Sequence, residues 1–354
     1  MMHGQLGVPL SRAGVISMLI CVGTILSSLF SDHLTMRLGP GRVTALSVAL
    51  TAAALFGFSL APNFGVLCLL ALPYGLGAGA VDAALNNFVA LHYHARHMSW
   101  LHCFWGLGAT VGPYIMGICL ALGFSWPAGY RTVSALQVML TAALVVTLPL
   151  WRRAEASGAP GTSGVPAGMA AALRTPGVPA AMTATFCYCA AEQTAALWAA
   201  SYMVVYRGVG EELAARWAAL FFIGITLGRF LSGVLTARFD DKGLIRLGQV
   251  FLALGVVLLW LPGGNTVMCA GFVCIGLGCA PIYPAMLHAS PFRFGAELSQ
   301  KVIGMQMASS YLGTALMPPL FGLLAERVSI RLMPWYLLVL TAGMALATEK
   351  LNRK

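Results

Sequence analysis

Charge is the scarcest commodity in this 354-residue chain. Asp, Glu, Lys and Arg together make up 9% of it, against roughly 25% in soluble globular domains. That shortage excludes a soluble protein. Other absences narrow the chemistry. The chain has no Gly-rich phosphate loop ending in Lys-Ser or Lys-Thr, no His-Glu-x-x-His pair and no Gly-x-Gly-Asp protease signature. Gly106-x-Gly108-x-x-x-Gly112 and Gly75-x-Gly77-x-Gly79 lie inside apolar runs with no strand before them, so they are not nucleotide loops. An ATP-driven pump, an enzyme and a cofactor are therefore not expected. The nine Cys fall in or at the ends of apolar runs, for example Cys21, Cys103, Cys187 and Cys279. Cys187-Tyr-Cys189 is too close and too apolar for metal ligation, so the cysteines are read as small packing residues and no metal is expected.

What the chain does have is apolar length. Hydrophobic residues make up 59% of it. They gather into eleven candidate spans, about 11–31, 43–61, 65–91, 99–122, 132–150, 177–205, 213–236, 244–262, 265–289, 300–324 and 331–348. Each is long enough to cross a hydrocarbon core of ~30 Å. Lipid offers no partner to an unpaired backbone group, so such spans must be helical. The ~10-residue alternating segments of a membrane β-barrel are absent.

The net charge of +10 is spread over the connecting loops and gives no nucleic-acid patch. It reads as topology. If the first span enters from outside, the inner side holds Arg37, Arg42, Arg96, Arg152, Arg153, Arg174, Arg238, Lys242, Arg246, Arg293, Lys301, Lys350, Arg353 and Lys354. The outer side holds Arg12, Arg131, Arg207, Arg216, Arg327 and Arg331. The positive-inside rule then predicts an outer N-terminus and a cytoplasmic C-terminus, in the cytoplasmic (inner) cell membrane.

The chain also repeats itself. Gly23 to Ser31 lies over Gly224 to Ser232, an offset of 201 (224 − 23). Leu34-Thr-Met-Arg37 lies over Leu235-Thr-Ala-Arg238, and Gly75-Leu-Gly77 over Gly276-Leu-Gly278. Gly108 and Pro113 match Gly313 and Pro318 after a slip to 205. The apolar segment Met182–Tyr206 has no first-half partner, since its copy would fall at residues −19 to 5. The expectation is a six-plus-six plan lacking its first helix. The Gly-, Ala-, Ser- and Pro-rich stretch 151–176 reads as a cytoplasmic linker. It separates an N-terminal bundle at 1–150 from a C-terminal bundle at 177–354.

Two parallel six-helix repeats joined by a cytoplasmic loop resemble the major facilitator superfamily. Asp32-His-Leu-Thr-Met-Arg37-Leu-Gly39-Pro-Gly-Arg42 is similar to that superfamily's loop between its second and third helices. There an Asp, a Gly and basic residues form a cytoplasmic latch. In this chain the basic residue follows the Asp by five positions rather than one. Arg238-Phe-Asp240-Asp241-Lys242 stands where the second copy belongs. Gly79-Ala-Val-Asp82-Ala-Ala-Leu-Asn86-Asn87 and Ile282-Tyr283-Pro284 resemble motifs of the fucose:proton symporter and sugar permease family. The resemblance implies an all-α polytopic membrane protein with the major facilitator fold: two parallel-repeat bundles and eleven transmembrane helices. It also implies a secondary transporter that moves a small polar solute, best guessed as a sugar, together with protons.

Charge at membrane depth is costly and marks function by default. Three ionisable residues lie well inside spans: Asp82, Glu192 and Arg229. Asp82 and Asn86, four apart, share a helix face. An apolar cavity favours the neutral carboxyl, so Asp82 and Glu192 are the candidate proton carriers. Arg229 is the candidate intramembrane partner of Glu192. Asn86, His102, Trp105, Gln193, Tyr283 and Gln306 are candidate substrate contacts, and Ser309 and Ser310 add polar groups to the last of these helices. Asp82 and Glu192 also have plain structural readings, as acids bonded to neighbouring helices. Two rival functions stay open: an exporter of amphipathic compounds on the same fold, and a non-transporting membrane sensor or scaffold. The expected partners are the lipid bilayer, a small-molecule substrate and protons, with no nucleic acid, and the expected state is a monomer.

Overall fold

The computed structural model describes residues 13–157, 168–261 and 263–353. Among these residues every regular element is a helix. In chain order they are α1 (Ala13–Leu38), α2 (Pro40–Leu60), α3 (Phe64–His92), α4 (Ala95–Ala121), α5 (Trp126–Ser157) and the short α6 (Met169–Arg174). Then come α7 (Val178–Arg207), α8 (Glu211–Leu235), α9 (Asp241–Trp260), α10 (Gly264–His288) and the short α11 (Ser290–Phe294). The chain closes with α12 (Ala296–Leu324), two irregular turns at Ala325–Ser329 and Ile330–Leu332, and α13 (Met333–Asn352). Residues 158–167 of the expected linker lie outside the described residues.

Nine stretches among the described residues are long and apolar enough to cross a membrane, where the sequence suggests eleven. The numbers part at two places. Ala296–Asn352 counts as one 57-residue stretch although it runs through α12, both turns and α13. The 30-residue α7 is not among the nine, because Tyr188, Glu192, Gln193 and Thr194 interrupt its apolar run.

Local signals set the boundaries. Pro40 and Pro179 stand in the first turns of α2 and α7, where a missing N–H costs nothing. Gly208, at φ 64°, closes α7 in the left-handed conformation that favours glycine. The Asp240 side chain caps α9 by accepting from the Gly243 N–H at 2.8 Å.

The chain divides into two compact units. The first comprises the described parts of Met1–His92, Trp105–Gly168 and Phe294–Ala308. The second comprises Tyr93–Phe104, the described parts of Met169–Arg293, and Ser309–Lys354. In the first unit α1 and α2 pack on α3, and α2 also packs on α5. Ser134 on α5 donates to the Ala52 carbonyl at 2.8 Å, and Thr51 to Gln137 Oε1 at 3.0 Å. In the second unit α8 and α9 pack on α10, and α13 packs on α7 and α9. Its core holds Tyr188, Tyr202, Phe221, Phe272 and Phe321.

The repeat shows as the same notch in both units. Lipid tails are as apolar as leucine, so close backbone approach rather than water exclusion drives helices together. A Cβ on Gly23 would stand 2.7 Å from the Leu72 carbonyl oxygen, and one on Gly75 would collide with that of Ile20. The copies 201 residues on behave alike: a Cβ on Gly224 would stand 2.7 Å from the Val273 oxygen, and one on Gly276 would collide with that of Phe221. A second repeated set does not behave alike. A Cβ on Gly313 would stand 2.5 Å from the Phe186 oxygen, and one on Gly322 2.7 Å from the Trp198 ring, both on α7. Their counterparts 205 residues earlier, Gly108 and Gly117, have no described atom within 4 Å of such a Cβ.

Replacing Gly75 or Gly276 with Leu should therefore force two helices apart. Overpacking of this kind costs about 1–3 kcal/mol or more. Gly108→Leu should leave stability within about 0.5 kcal/mol. Thermal unfolding of the purified protein in detergent separates the two classes; equal losses at Gly75 and Gly108 would refute the assignment.

Candidate functional site

One of the buried ion pairs lies in the second unit. Glu192 on α7 and Arg229 on α8 are 5% and 3% exposed, and Arg229 Nη2 stands 3.5 Å from Glu192 Oε1. Tyr188 precedes Glu192 by one helical turn and so shares its face. The Tyr188 ring stacks on Tyr283 of α10, with centroids 5.5 Å apart and planes 16° apart. His102, near the start of α4, meets the same Tyr283 ring edge-on at 5.3 Å and 85°. Arg229 Nη1 donates to the His102 carbonyl at 3.1 Å. Four helices thus converge on one carboxylate, one guanidinium and three aromatic rings.

Burial makes this arrangement exacting. Each charge alone would bear the full cost of desolvation, and each offsets that cost for the other. Arg229 is shared between a carboxylate at 3.5 Å and a carbonyl at 3.1 Å. A change in the charge of Glu192 must therefore redistribute the guanidinium. Gln193, next along α7, is half-buried. Ser309 on α12 ties to α7 through the Met182 carbonyl at 2.8 Å, and Ser310 hydrogen-bonds to Cys189.

The first unit holds a different polar set. Asp82 is half-buried on α3, and its backbone carbonyl accepts from Asn86 Nδ2 at 2.9 Å. Asn86 is 2% exposed. The neighbouring Asn87 Oδ1 accepts from Ser299 Oγ at 2.6 Å. Lys301 Nζ stands 3.1 Å from Asp32 Oδ1, both groups buried, and also donates to the Leu29 carbonyl at 3.3 Å. Gln300 Nε2 donates to Ser31 Oγ at 3.2 Å. Gln306 is buried on the same stretch of α12, and Trp105 on α4 is exposed.

The loop motif read from the sequence is largely not a loop. Asp32 and Arg37 belong to the last two turns of α1, which runs on to Leu38. Gly39 at φ 80° is the hinge to α2, and Arg37 and Arg42 are exposed. Asp32 is buried there, its Oδ1 3.1 Å from Lys301 Nζ.

Two residues of this polar framework, Lys301 and His288, were not singled out as partners by the sequence reading. Lys301 looked like one more inner-side cation, because its span begins beside it and nothing in the string ties it to Asp32, 269 residues away. His288 and Asp241, paired at 2.8 Å, gave no joint signal either. Only the acid of each pair, in the repeated motif, was visible. Among the described residues no cluster of three or more His, Cys, Asp or Glu can hold a metal ion.

The buried pair can be tested as a unit. Glu192→Leu alone should cost about 3–5 kcal/mol, because it leaves the Arg229 charge buried and uncompensated. Adding Arg229→Met should recover most of that loss. A double-mutant cycle on unfolding in detergent measures the coupling, and additive losses would contradict it.

Comparison with known proteins agrees with this architecture. The model of the Major Facilitator Superfamily matches residues 1–216 and again 181–351, once for each half of the repeat. An "Uncharacterized transporter y4wD" of Sinorhizobium fredii is 25% identical over 338 residues, covering 93% of this chain and 86% of that protein. Among solved structures, the E. coli fucose:proton symporter FucP superposes with a TM-score of 0.73 at 17% identity, over 97% of this chain and 90% of that one. The proton:xylose symporter XylE bound to 6-bromo-6-deoxy-D-glucose gives 0.78 at 12% identity, over 98% and 88%. At such identities the structures speak for the fold alone. The family model covers the chain from end to end, so this protein belongs to the Major Facilitator Superfamily: it is a multi-pass membrane transporter of a small molecule, and not an enzyme.

Proposed function

We propose that this transporter is a proton-coupled symporter of a small polar solute, with a sugar as the first substrate to try. The observation that supports this most is the buried Glu192–Arg229 pair at 3.5 Å, at a depth where ionisable groups are kept only for use. The symporter character of FucP and XylE, as their names give it, points the same way.

In this reading Asp82 is the first proton carrier. It sits half-buried about 15 Å from the end of α3, ten residues at 1.5 Å each, with Asn86 on the same face to receive a hydroxyl. Glu192 is the second. Protonating Glu192 strips Arg229 of its counter-charge, so that step is favourable only when a substrate oxygen takes the place of the carboxylate. Proton and solute then load together, which couples the two fluxes. Tyr283, His102 and Trp105 offer rings for an apolar sugar face, and Gln193 and Gln306 offer amides for its hydroxyls. Transport proceeds by alternating access of a chain with two bundles, 1–150 and 177–354, and the linker 151–176. The protein works as a monomer in the cytoplasmic membrane with its C-terminus inside.

The test is uptake of labelled monosaccharides into proteoliposomes holding the full chain, driven by an inward proton gradient. Wild type should accumulate substrate, and collapsing the gradient should abolish accumulation. Asp82→Asn should lose gradient-driven uptake by at least about tenfold while retaining solute exchange. Normal accumulation by Asp82→Asn would overturn the proton role, and flux that ignores the gradient would overturn symport.

A further inference from the structure

His288, the last residue of α10, lies outside the Glu192 group and has a hydrogen-bonding geometry that fixes its charge. Its Nδ1 stands 2.8 Å from Asp241 Oδ2, and its Nε2 stands 3.3 Å from the Tyr93 carbonyl oxygen. Both partners are acceptors only: a carboxylate oxygen and a backbone oxygen. A neutral imidazole has one N–H and can satisfy one of them, leaving its bare nitrogen against the other acceptor. The imidazolium has two N–H groups and satisfies both. The ring is nearly buried, at 9% side-chain exposure, and Asp241 stands at 15%.

What His288 holds is the entry to α4. Tyr93 lies in the turn between α3 and α4, and the segment Tyr93–Phe104 packs with the second unit. Nine residues further on, the same segment is gripped again, by Arg229 on the His102 carbonyl. Between the two, the Trp100 ring seats on Gly233, where a Cβ would come within 2.5 Å of Nε1. Both ends of the segment are thus held in the same way, by a cation that binds a backbone carbonyl and is backed by an acid. Asp241 backs His288, and Glu192 backs Arg229. Arg229 is charged at every accessible pH. Histidine ordinarily changes charge between pH 5 and 8.

We propose that His288 is a positioning residue for transport: as the imidazolium it clasps the α3–α4 turn to α9 and α10, and so sets the placement of the His102 end of the site. The clasp is reachable by solvent. Tyr93, Asp241 and His288 line a cavity of about 700 Å³, together with His94, Arg96 and Phe292. The other charged groups nearby are Arg96, Asp240 and Arg293, the last close enough to Asp241 to feel its charge. Asp240 is engaged as the cap on Gly243 N–H at 2.8 Å. Arg293 on α11 donates to Asn352 at 3.0 Å. His94 lines the cavity as well, and the His97 ring stands 6.2 Å from the His94 ring. The sign follows from the donor count. The clasp is complete at low pH, where His288 carries both protons, and opens as pH rises through the imidazole range. This inference rests on the transporter fold and needs neither the sugar nor the proton reading of the central site.

The test is hydrogen–deuterium exchange of the full chain in lipid nanodiscs from pH 5.5 to 8, corrected for intrinsic exchange and read on peptides covering Tyr93–Phe104. Wild type should show exchange in that segment rising about fivefold or more across the range. His288→Gln should exchange at the high-pH level throughout, with a flat profile. His94→Gln and His97→Gln should keep the wild-type profile. A flat wild-type profile, or a pH response that survives in His288→Gln, would overturn the proposal. Should His288→Gln fail to fold, ¹⁵N chemical shifts of labelled histidines in wild type decide instead. Two protonated ring nitrogens on the clasped histidine at pH 6, Asp241→Asn shifting that signal, support the clasp; neutral-imidazole shifts for every histidine at that pH refute it.

Discussion

The rest of the structure depends on one constraint: in the middle of a bilayer no polar group can turn to water. The backbone meets it by forming helices, whose N–H and carbonyl groups are paired within each span. Charged side chains that are buried, at membrane depth or near the helix ends, avoid being stranded by pairing across helices. Asp32 finds Lys301, Glu192 finds Arg229 and Asp241 finds His288. Each of these pairs joins two different helices, neighbours in the chain for Glu192–Arg229 and Asp241–His288 and 269 residues apart for Asp32–Lys301, so satisfying a charge and fixing a tertiary contact are one event. The cations do double duty. Lys301, Arg229 and His288 each also stand against a backbone carbonyl, which extends the charge pairing into helix placement.

Shape complementarity supplies the second half of the architecture. Without a hydrophobic drive between helices, close approach has to come from small residues. Gly75 and Gly276 are where α3 and α10 press on the backbones of α1 and α8. That the same notch recurs 201 residues later means the duplicated feature is a packing surface as well as a sequence pattern. The divergence of the other set, Gly313 and Gly322 against α7 but Gly108 and Gly117 open, marks where the two halves differ among the described residues.

The pairs also explain why a transporter tolerates buried charge. A fully apolar bundle would be easier to stabilise, since replacing a buried pair by well-packed apolar residues is often neutral or favourable. A pair that can be unmade by one proton, or by one substrate oxygen, is instead a two-state element. Glu192 and Arg229 stand 3.5 Å apart, with the guanidinium nearer the His102 carbonyl at 3.1 Å; under the proposed function this pair would be such an element.

By itself the sequence determined the class of the protein. Scarce charge and long apolar runs demanded a helical membrane bundle, and the 201-residue offset demanded two related halves. Asp82, Glu192 and Arg229 stood out because ionisable residues are rare at that depth. These features were legible because they are local or periodic: composition, run length and repeats survive in a one-dimensional string. Tertiary structure alone decided which charges meet. It placed Tyr188 and His102 against Tyr283, bound Lys301 to a residue 269 positions earlier, and set His288 between an acid and a carbonyl. It also extended α1 past Asp32, turning part of an expected loop into helix. The physical reason is that a cross-helix contact depends on the rotation and register of each helix. These follow from packing summed over whole interfaces, and no short window of sequence contains that sum.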